Sequence, residues 1–185
     1  MLAKSILKLF RKVNLWKTVY FNLHYFPWKT ALRLPVFIYK RSELYKMKGR
    51  IVINAPVKTG MMKLGPHGLG TQDMLFERTM WEVAGTLVIN GNACIGRGSK
   101  ISIGENATLT LGDNFTITGG SDIICHKAIT FGRDCLLSWD ILMMDTDFHN
   151  VLDLQGKKIN APKPITIGNH VPTKSAVSAM WYWAK

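Results

Sequence analysis

Acidic side chains are scarce in this 185-residue chain, 12 against 24 Lys and Arg, and the first fifty residues contain a single one, Glu43. Those fifty residues hold twelve Lys and Arg, a net charge of +11; the whole chain carries +12, so residues 51–185 sum to +1. The basicity therefore belongs to the N-terminal segment alone. Long apolar runs are missing as well: none approaches the roughly 20 residues that a membrane-spanning helix needs. Lys4 and Lys8 interrupt any apolar core of a secretory signal. The three cysteines (Cys94, Cys125, Cys135) fall inside a repeat and form no secretory disulfide framework. These absences give a cytoplasmic expectation, with the N-terminal segment available for peripheral contact with the membrane.

That segment is rich in aromatic residues: Phe10, Trp16, Tyr20, Phe21, Tyr25, Phe26, Trp28, Phe37, Tyr39 and Tyr45. At about 100° per residue, Leu2, Ile6, Leu9, Phe10, Val13, Trp16 and Tyr20 share one helix face. Lys4, Lys8, Arg11 and Lys12 share another, with Lys17 as the exception. Pro27 and Pro35 divide residues 1–50 into two or three short helices. A basic amphipathic helix with interfacial aromatics suits an anionic membrane surface. Capping of the first coil of the repeat is the competing role and is compatible with the first. Nucleic acid would match the charge, but no recognition motif accompanies it, and none is expected to bind.

From Ile89 to Met143 the chain repeats every six residues. Aliphatic or aromatic residues fall at Ile89, Ile95 and Ile101, at Ile103 and Leu109, at Leu111, Ile117, Ile123 and Ile129, and at Phe131, Leu137 and Met143. Two-residue slips join the series. Four positions after the aliphatic the residue is often small (Ala93, Ser99, Ala107, Ser121, Cys135), with Phe115, Lys127 and Ile141 as exceptions. A six-residue step suits a short strand plus a corner, and such coils are stable only when stacked. A β-sandwich is the alternative, but sandwich strands are not spaced by a fixed six. The glycine-rich stretch from Gly60 to Gly70 lacks the spacing of a phosphate-binding fingerprint. It is read as the entry turns of the coil, with His67 on the surface.

This pattern resembles the hexapeptide-repeat acyltransferases, among them bacterial O-acetyltransferases of sugars and lipopolysaccharide. The resemblance spans about residues 48–171 and is carried by residues 121–140, by Met144, Asp145, Thr146, Asp147, Phe148 and His149, and by residues 164–171. It implies a left-handed parallel β-helix, against the usual right-handed crossover rule. It also implies a homotrimer with active sites between adjacent subunits, and acetyl-CoA as cosubstrate rather than as a bound cofactor. The acceptor would be a sugar or glycan of a surface polysaccharide or lipopolysaccharide precursor.

The repeat stops near Met143 and resumes at Pro164, and the loop of about residues 144–164 is polar. Long loops on a rigid scaffold tend to carry function. Imidazole accepts a proton near neutral pH, so His149 is the candidate general base for an attacking hydroxyl. Asp147, two residues earlier, would lie on the same side of an extended backbone and orient the imidazole, a role that a backbone carbonyl can also fill. Asp145 continues that alternation as a second candidate, in substrate binding. Trp139 is a candidate for the acceptor pocket, with a core or coil-edge place as the alternative. The resemblance matches His149 to the family's catalytic histidine, and it transfers no CoA-contacting residue.

Weaker constellations can be set aside. Cys125 and His126 are adjacent, so on a strand they face opposite sides and form no dyad. His126, His149 and His170 lie 23 and 21 residues apart, unlike the closely paired zinc histidines of gamma-class carbonic anhydrases; no metal is expected, although that reading stays open as an alternative. His170 is read as a corner residue. After Val171 the hexapeptide period gives way to an aromatic tail, residues 172–185, ending near Trp181, Tyr182 and Trp183. This ending reads as truncated or frame-shifted, so a catalytically inactive β-helix relative is the other alternative. The expected organisation is thus 1–50, 51–171 and 172–185.

Overall fold

The structure is a computed structural model and describes residues 12–66, 68, 70, 73 and 76–173. Two short helices, α1 (Leu15–Tyr25) and α2 (Trp28–Ala31), precede sixteen strands among the described residues. The strands stack into three sheets. The first runs β1 (Val36–Ile38), β4 (Met62–Leu64), β7 (Ala93–Ile95), β10 (Phe115–Ile117), β13 (Leu136–Leu137) and β16 (Pro172–Thr173). The second runs β2 (Ser42–Met47), β5 (Thr79–Val83), β8 (Lys100–Ile103), β11 (Asp122–Cys125) and β14 (Leu142–Met144). The third runs β3 (Arg50–Ile53), β6 (Thr86–Ile89), β9 (Thr108–Leu111), β12 (Ala128–Phe131) and β15 (Ile165–Ile167). Each strand pairs in parallel with the strand three places further along the chain, the arrangement of a parallel β-helix. A sandwich of antiparallel strands is not what forms.

The six-residue step becomes a set of interior ladders. Ile38, Leu64, Ile95, Ile117 and Leu137 stack one above another. Trp81, Ile101, Ile123 and Met143 do the same in the second sheet. Ile101 pairs with Ile123, 22 residues on, whereas Ile123 pairs with Met143, only 20 residues on. Three hexapeptide steps account for most of each coil, and the two-residue slips at the corners supply the rest. The small residues Ala93, Ser99, Ala107, Ser121 and Cys135 are all buried beside the ladders. Phe115 and Ile141 are buried too, and only Lys127 turns outward.

The coil begins earlier than the sequence reading places it, because β1 and β2 already lie within residues 36–47. That segment has the alternation of a strand, with Val36 and Ile38 buried and Phe37 between them half-buried. The helical path is broken within its apolar stripe, between the helical Lys12 and α1. Val13 leaves the helical path to bridge Tyr39, and Asn14 caps α1 by accepting the Lys17 amide at 3.0 Å. Leu2, Ile6, Leu9 and Phe10 lie outside the described residues, as does His67. The stretch from Gly60 to Gly70 contains β4, so it belongs to the second coil rather than to an entry turn. At Gly65, φ is +81° and a Cβ would stand 2.5 Å from the Ser42 hydroxyl oxygen, which excludes a side chain there. At the other end β16 pairs with β13 through Pro172 and Thr173, just past the expected end of the coil at Val171. Residues 174–185, including Trp181, Tyr182 and Trp183, lie outside the described residues.

Helix α1 covers the open edge of the first sheet. β1 is the edge strand, and its unpaired backbone groups would otherwise invite intermolecular pairing. Asn22 Nδ2 donates to the Val36 carbonyl at 2.7 Å, and Asn22 Oδ1 accepts the Val36 amide at 3.1 Å. Thr18 Oγ1 accepts the Ile38 amide at 3.0 Å. Phe21 completes the cap, its ring edge-on to Trp81 with centroids 5.3 Å apart. Asn22→Ala would strand a buried donor and a buried acceptor, each worth about 1–3 kcal/mol. The expected result is an unfolding midpoint lower by about 5–10 °C. Tyr20→Ala, on the exposed side of the same helix, should leave it nearly unchanged. Thermal unfolding followed by circular dichroism measures both, and equal shifts would remove the capping role.

Candidate active-site loop

The chain leaves the coil after β14 and returns at β15, so the loop departs from a corner between the second and third sheets. Met143 is inward and Asp145, two residues on, is inward as well. The register of β11 with β14 places Asp145 above Cys125, in a column that continues through Ile103 and Val83. A carboxylate thus occupies an apolar ladder position, and its side chain is 4 % exposed. Burial of such a group needs hydrogen-bond partners. They come from the corner below: Asp145 Oδ1 accepts the His126 amide, and Oδ2 accepts the amides of Lys127 and Ala128, at 2.6, 2.8 and 2.8 Å.

The reason lies in that corner. Between β8 and β9 the corner is long enough to tuck in Ala107. Between β11 and β12 it is two residues shorter, and Lys127, at the position of the small residue, points outward. The Asp145 carboxylate takes the vacated place and gathers three converging N–H groups. This anchors the foot of the loop to the coil beneath it. Asp145 is therefore engaged by backbone, and the substrate contact expected of it has no free carboxylate oxygen to use. Burial, and then the neighbouring carboxylate, pushes the Cys125 thiol up to about 12. At neutral pH this sulfur is a thiol and not a nucleophile.

Beyond Asp145 the backbone turns sharply. Thr146 Oγ1 accepts the Phe148 amide at 3.2 Å, and Phe148 has φ of +59°. The extended alternation expected from Asp147 to His149 is broken at this left-handed residue. Asp147 accepts the backbone amide of His149 at 3.3 Å, and no described residue hydrogen-bonds the His149 imidazole. The Asp147 carboxylate is instead gripped by Asn160 Nδ2, at 2.8 Å to Oδ1 and 2.6 Å to Oδ2. Those bonds hold its pKa below the usual carboxylate range. Asn160 also donates to the His149 carbonyl at 2.6 Å, and its Oδ1 accepts the Val151 amide at 2.8 Å.

Asn160 is the residue that sequence reading missed, since nothing in the local pattern marks it. It ties the outgoing arm of the loop to the returning one and fixes the backbone on both sides of His149. Between the two arms the tip closes as a small hairpin: Leu152 bridges Lys158, and the turn at Asp153 is finished by Gly156 with φ of +77°. Asn160→Ala should free this hairpin without disturbing the coil. Trypsin cleavage at Lys157 or Lys158 should then run about tenfold faster, with the global unfolding midpoint nearly constant. An unchanged cleavage rate would show that Asn160 does not brace the loop.

The loop presents His149 exposed, flanked by an exposed Phe148 whose ring stands edge-on to His126 at 4.7 Å. His126 thus shares the foot of the loop, while Cys125 points into the core, and no dyad forms. Trp139 is exposed but lies at the other end of β14, at the corner between the first and second sheets. The loop and Trp139 are not brought together within this chain. His170 sits at a corner with φ of +56°, its Nδ1 3.3 Å from the Asp134 carboxylate. No group of three His, Cys, Asp or Glu able to hold a metal occurs among the described residues.

No family model, curated protein or solved structure matches the chain. The functional reading therefore rests on the geometry of this loop and on the repeat that carries it.

Proposed function

We propose that the protein is a left-handed β-helix acyltransferase that moves an acetyl group from acetyl-CoA to a sugar hydroxyl. The acceptor class is a surface-glycan or lipopolysaccharide precursor. One observation carries the reading: an exposed imidazole with no hydrogen-bond partner among the described residues, held on a braced loop that stands off a stack of parallel β-coils. Such a group is placed to meet a ligand rather than to stabilise its own chain.

In this reading His149 takes the proton from the acceptor hydroxyl as the oxygen attacks the thioester carbonyl. A tetrahedral intermediate forms, the C–S bond breaks, and the departing coenzyme thiolate recovers the proton from the imidazolium. Neither a protein nucleophile nor a metal is required, which agrees with a Cys125 held as a buried thiol. Asp147 and Asn160 act as positioning residues, setting the backbone around His149 rather than the tautomer of its ring.

Assembly fits the same picture. Val151, Leu152, Leu154 and Ile159 are exposed on the loop, and Leu154 is fully so. An apolar hairpin of this kind is suited to lie against a second subunit, which would complete the site opposite His149. A trimer satisfies that requirement, and Trp139 from a neighbouring subunit is a candidate for the acceptor side. The test is release of coenzyme A thiol from acetyl-CoA with a panel of sugar acceptors, comparing the chain with His149→Ala. Acceptor-dependent release that is lost in the variant supports the reading; equal rates would remove His149 from the chemistry.

A further inference from the structure

Helix α1 has two working faces, and the fold uses only one of them. Thr18, Phe21, Asn22 and Tyr25 face the coil and cap it. The opposite side is also apolar: Trp16 is 87 % exposed, Tyr20 59 % and Leu23 57 %. The surface continues onto α2 and the turn after it, where Trp28 is 65 % and Leu32 69 % exposed. A capping helix that served only the coil would carry polar residues on this side. We propose that this face docks on the surface of a bilayer containing anionic lipid.

The charge around the patch selects that occupant. No Asp or Glu occurs before Glu43, and Glu43 is already paired with Lys17 at 3.0 Å. Lys12 lies exposed at one end of α1, and Lys29 and Arg33 lie exposed at the α2 end. Lys29 Nζ stands 5.7 Å from the centre of the Trp28 ring, so cation and aromatic face are presented together. A second copy of the same face would bring these cations against their own kind. Anionic headgroups complement them, while Trp and Tyr rings favour the boundary between headgroup and acyl chain.

The geometry agrees with lying on a membrane rather than crossing it. α1 has 11 residues, about 16 Å at the usual rise. No helix among the described residues is long and apolar enough to span a bilayer. The face therefore enters the interfacial layer side-on, as amphipathic helices do.

This surface is independent of the loop chemistry and is tested without any activity assay. The full chain is pelleted with vesicles of phosphatidylcholine mixed with phosphatidylglycerol, and with vesicles of phosphatidylcholine alone, at low and high salt. Binding is expected only to the anionic vesicles and should weaken with salt. The double variant Trp16→Glu, Tyr20→Glu should bind at least about tenfold more weakly with an unchanged circular dichroism spectrum. If that variant does not fold, Lys29→Glu with Arg33→Glu should give the same loss. Equal pelleting with neutral vesicles, or full binding by the folded variants, overturns the proposal. So does a self-association, seen by sedimentation without vesicles, that the variants abolish while no vesicle binding occurs.

Discussion

Asp145→Ala is expected to lower the unfolding midpoint by about 10 °C, more than any other single polar substitution considered for this protein. The carboxylate accepts three backbone amides of the corner between β11 and β12. Alanine would leave those donors without a partner in a part-buried corner, and it would also leave a small void in the column above Cys125. Each unmet donor costs about 1–3 kcal/mol, and the three share one acceptor group, so a total of about 3–5 kcal/mol is reasonable. For a domain of this size each kcal/mol moves the midpoint by about 2–4 °C. Asp145→Asn retains one oxygen but turns an NH2 group toward amide donors, so it should recover less than half of the loss. Denaturant unfolding of the three proteins measures this directly. A change below about 1 kcal/mol for the alanine variant would mean that the corner relaxes and the anchoring role is wrong.

His149→Ala is expected to reduce acceptor-dependent kcat/KM for thiol release by about 10²–10⁴, the usual worth of a positioned general base. That is about 2.7–5.5 kcal/mol of transition-state stabilisation. Stability should hardly change, because the ring is exposed and hydrogen-bonds no described residue. The contrast with Asp145→Ala is diagnostic: one variant keeps its stability and loses turnover, the other loses stability. His149→Gln should behave like alanine, since it retains polarity and size but cannot take the proton. A variant whose turnover falls less than about fivefold would assign the base to another group, and His126 at the foot of the loop would be the next to replace.

How far the sequence could be read depends on which interactions are periodic. The stack of three sheets was legible because each interior ladder is written into the chain as an aliphatic every six residues. The site was legible only in part. A polar loop with His149 could be picked out because it interrupts the period, and that is where the exposed imidazole lies. Asp147 hydrogen-bonds the backbone amide of His149 rather than its ring, because Phe148 adopts a left-handed backbone where an extended one was assumed, and the two side chains interact only through charge. Asp145 shows the same limit from the other side. Its spacing of two from Met143 implies an inward side chain, but an inward carboxylate makes sense only once the shortened corner beneath it is known.

The N-terminal segment divides similarly. Its charge is a property of composition, visible without coordinates, and so is the absence of any acid before Glu43. Which aromatics face water was not visible. A single helical stripe from Leu2 to Tyr20 would have put Trp16 and Val13 on one face. The structure buries Val13 against Tyr39 and turns Trp16 outward, because Asn14 begins a new helix whose inner face must satisfy the edge of β1.

By itself, then, the sequence determined the repeating coil, the place where the coil is interrupted, and the sign of the charge at its start. These depend on residue type and spacing alone, since burial of an aliphatic every six residues needs only a neighbour of the same kind. The tertiary structure decided what Asp145, Asn160 and Asn22 do. Asp145 and Asn22 bond backbone groups 14 to 19 residues away, and Asn160 bonds the Asp147 carboxylate and backbone groups on the other arm of the loop. Only the closing of one coil on the next brings such groups within hydrogen-bonding distance.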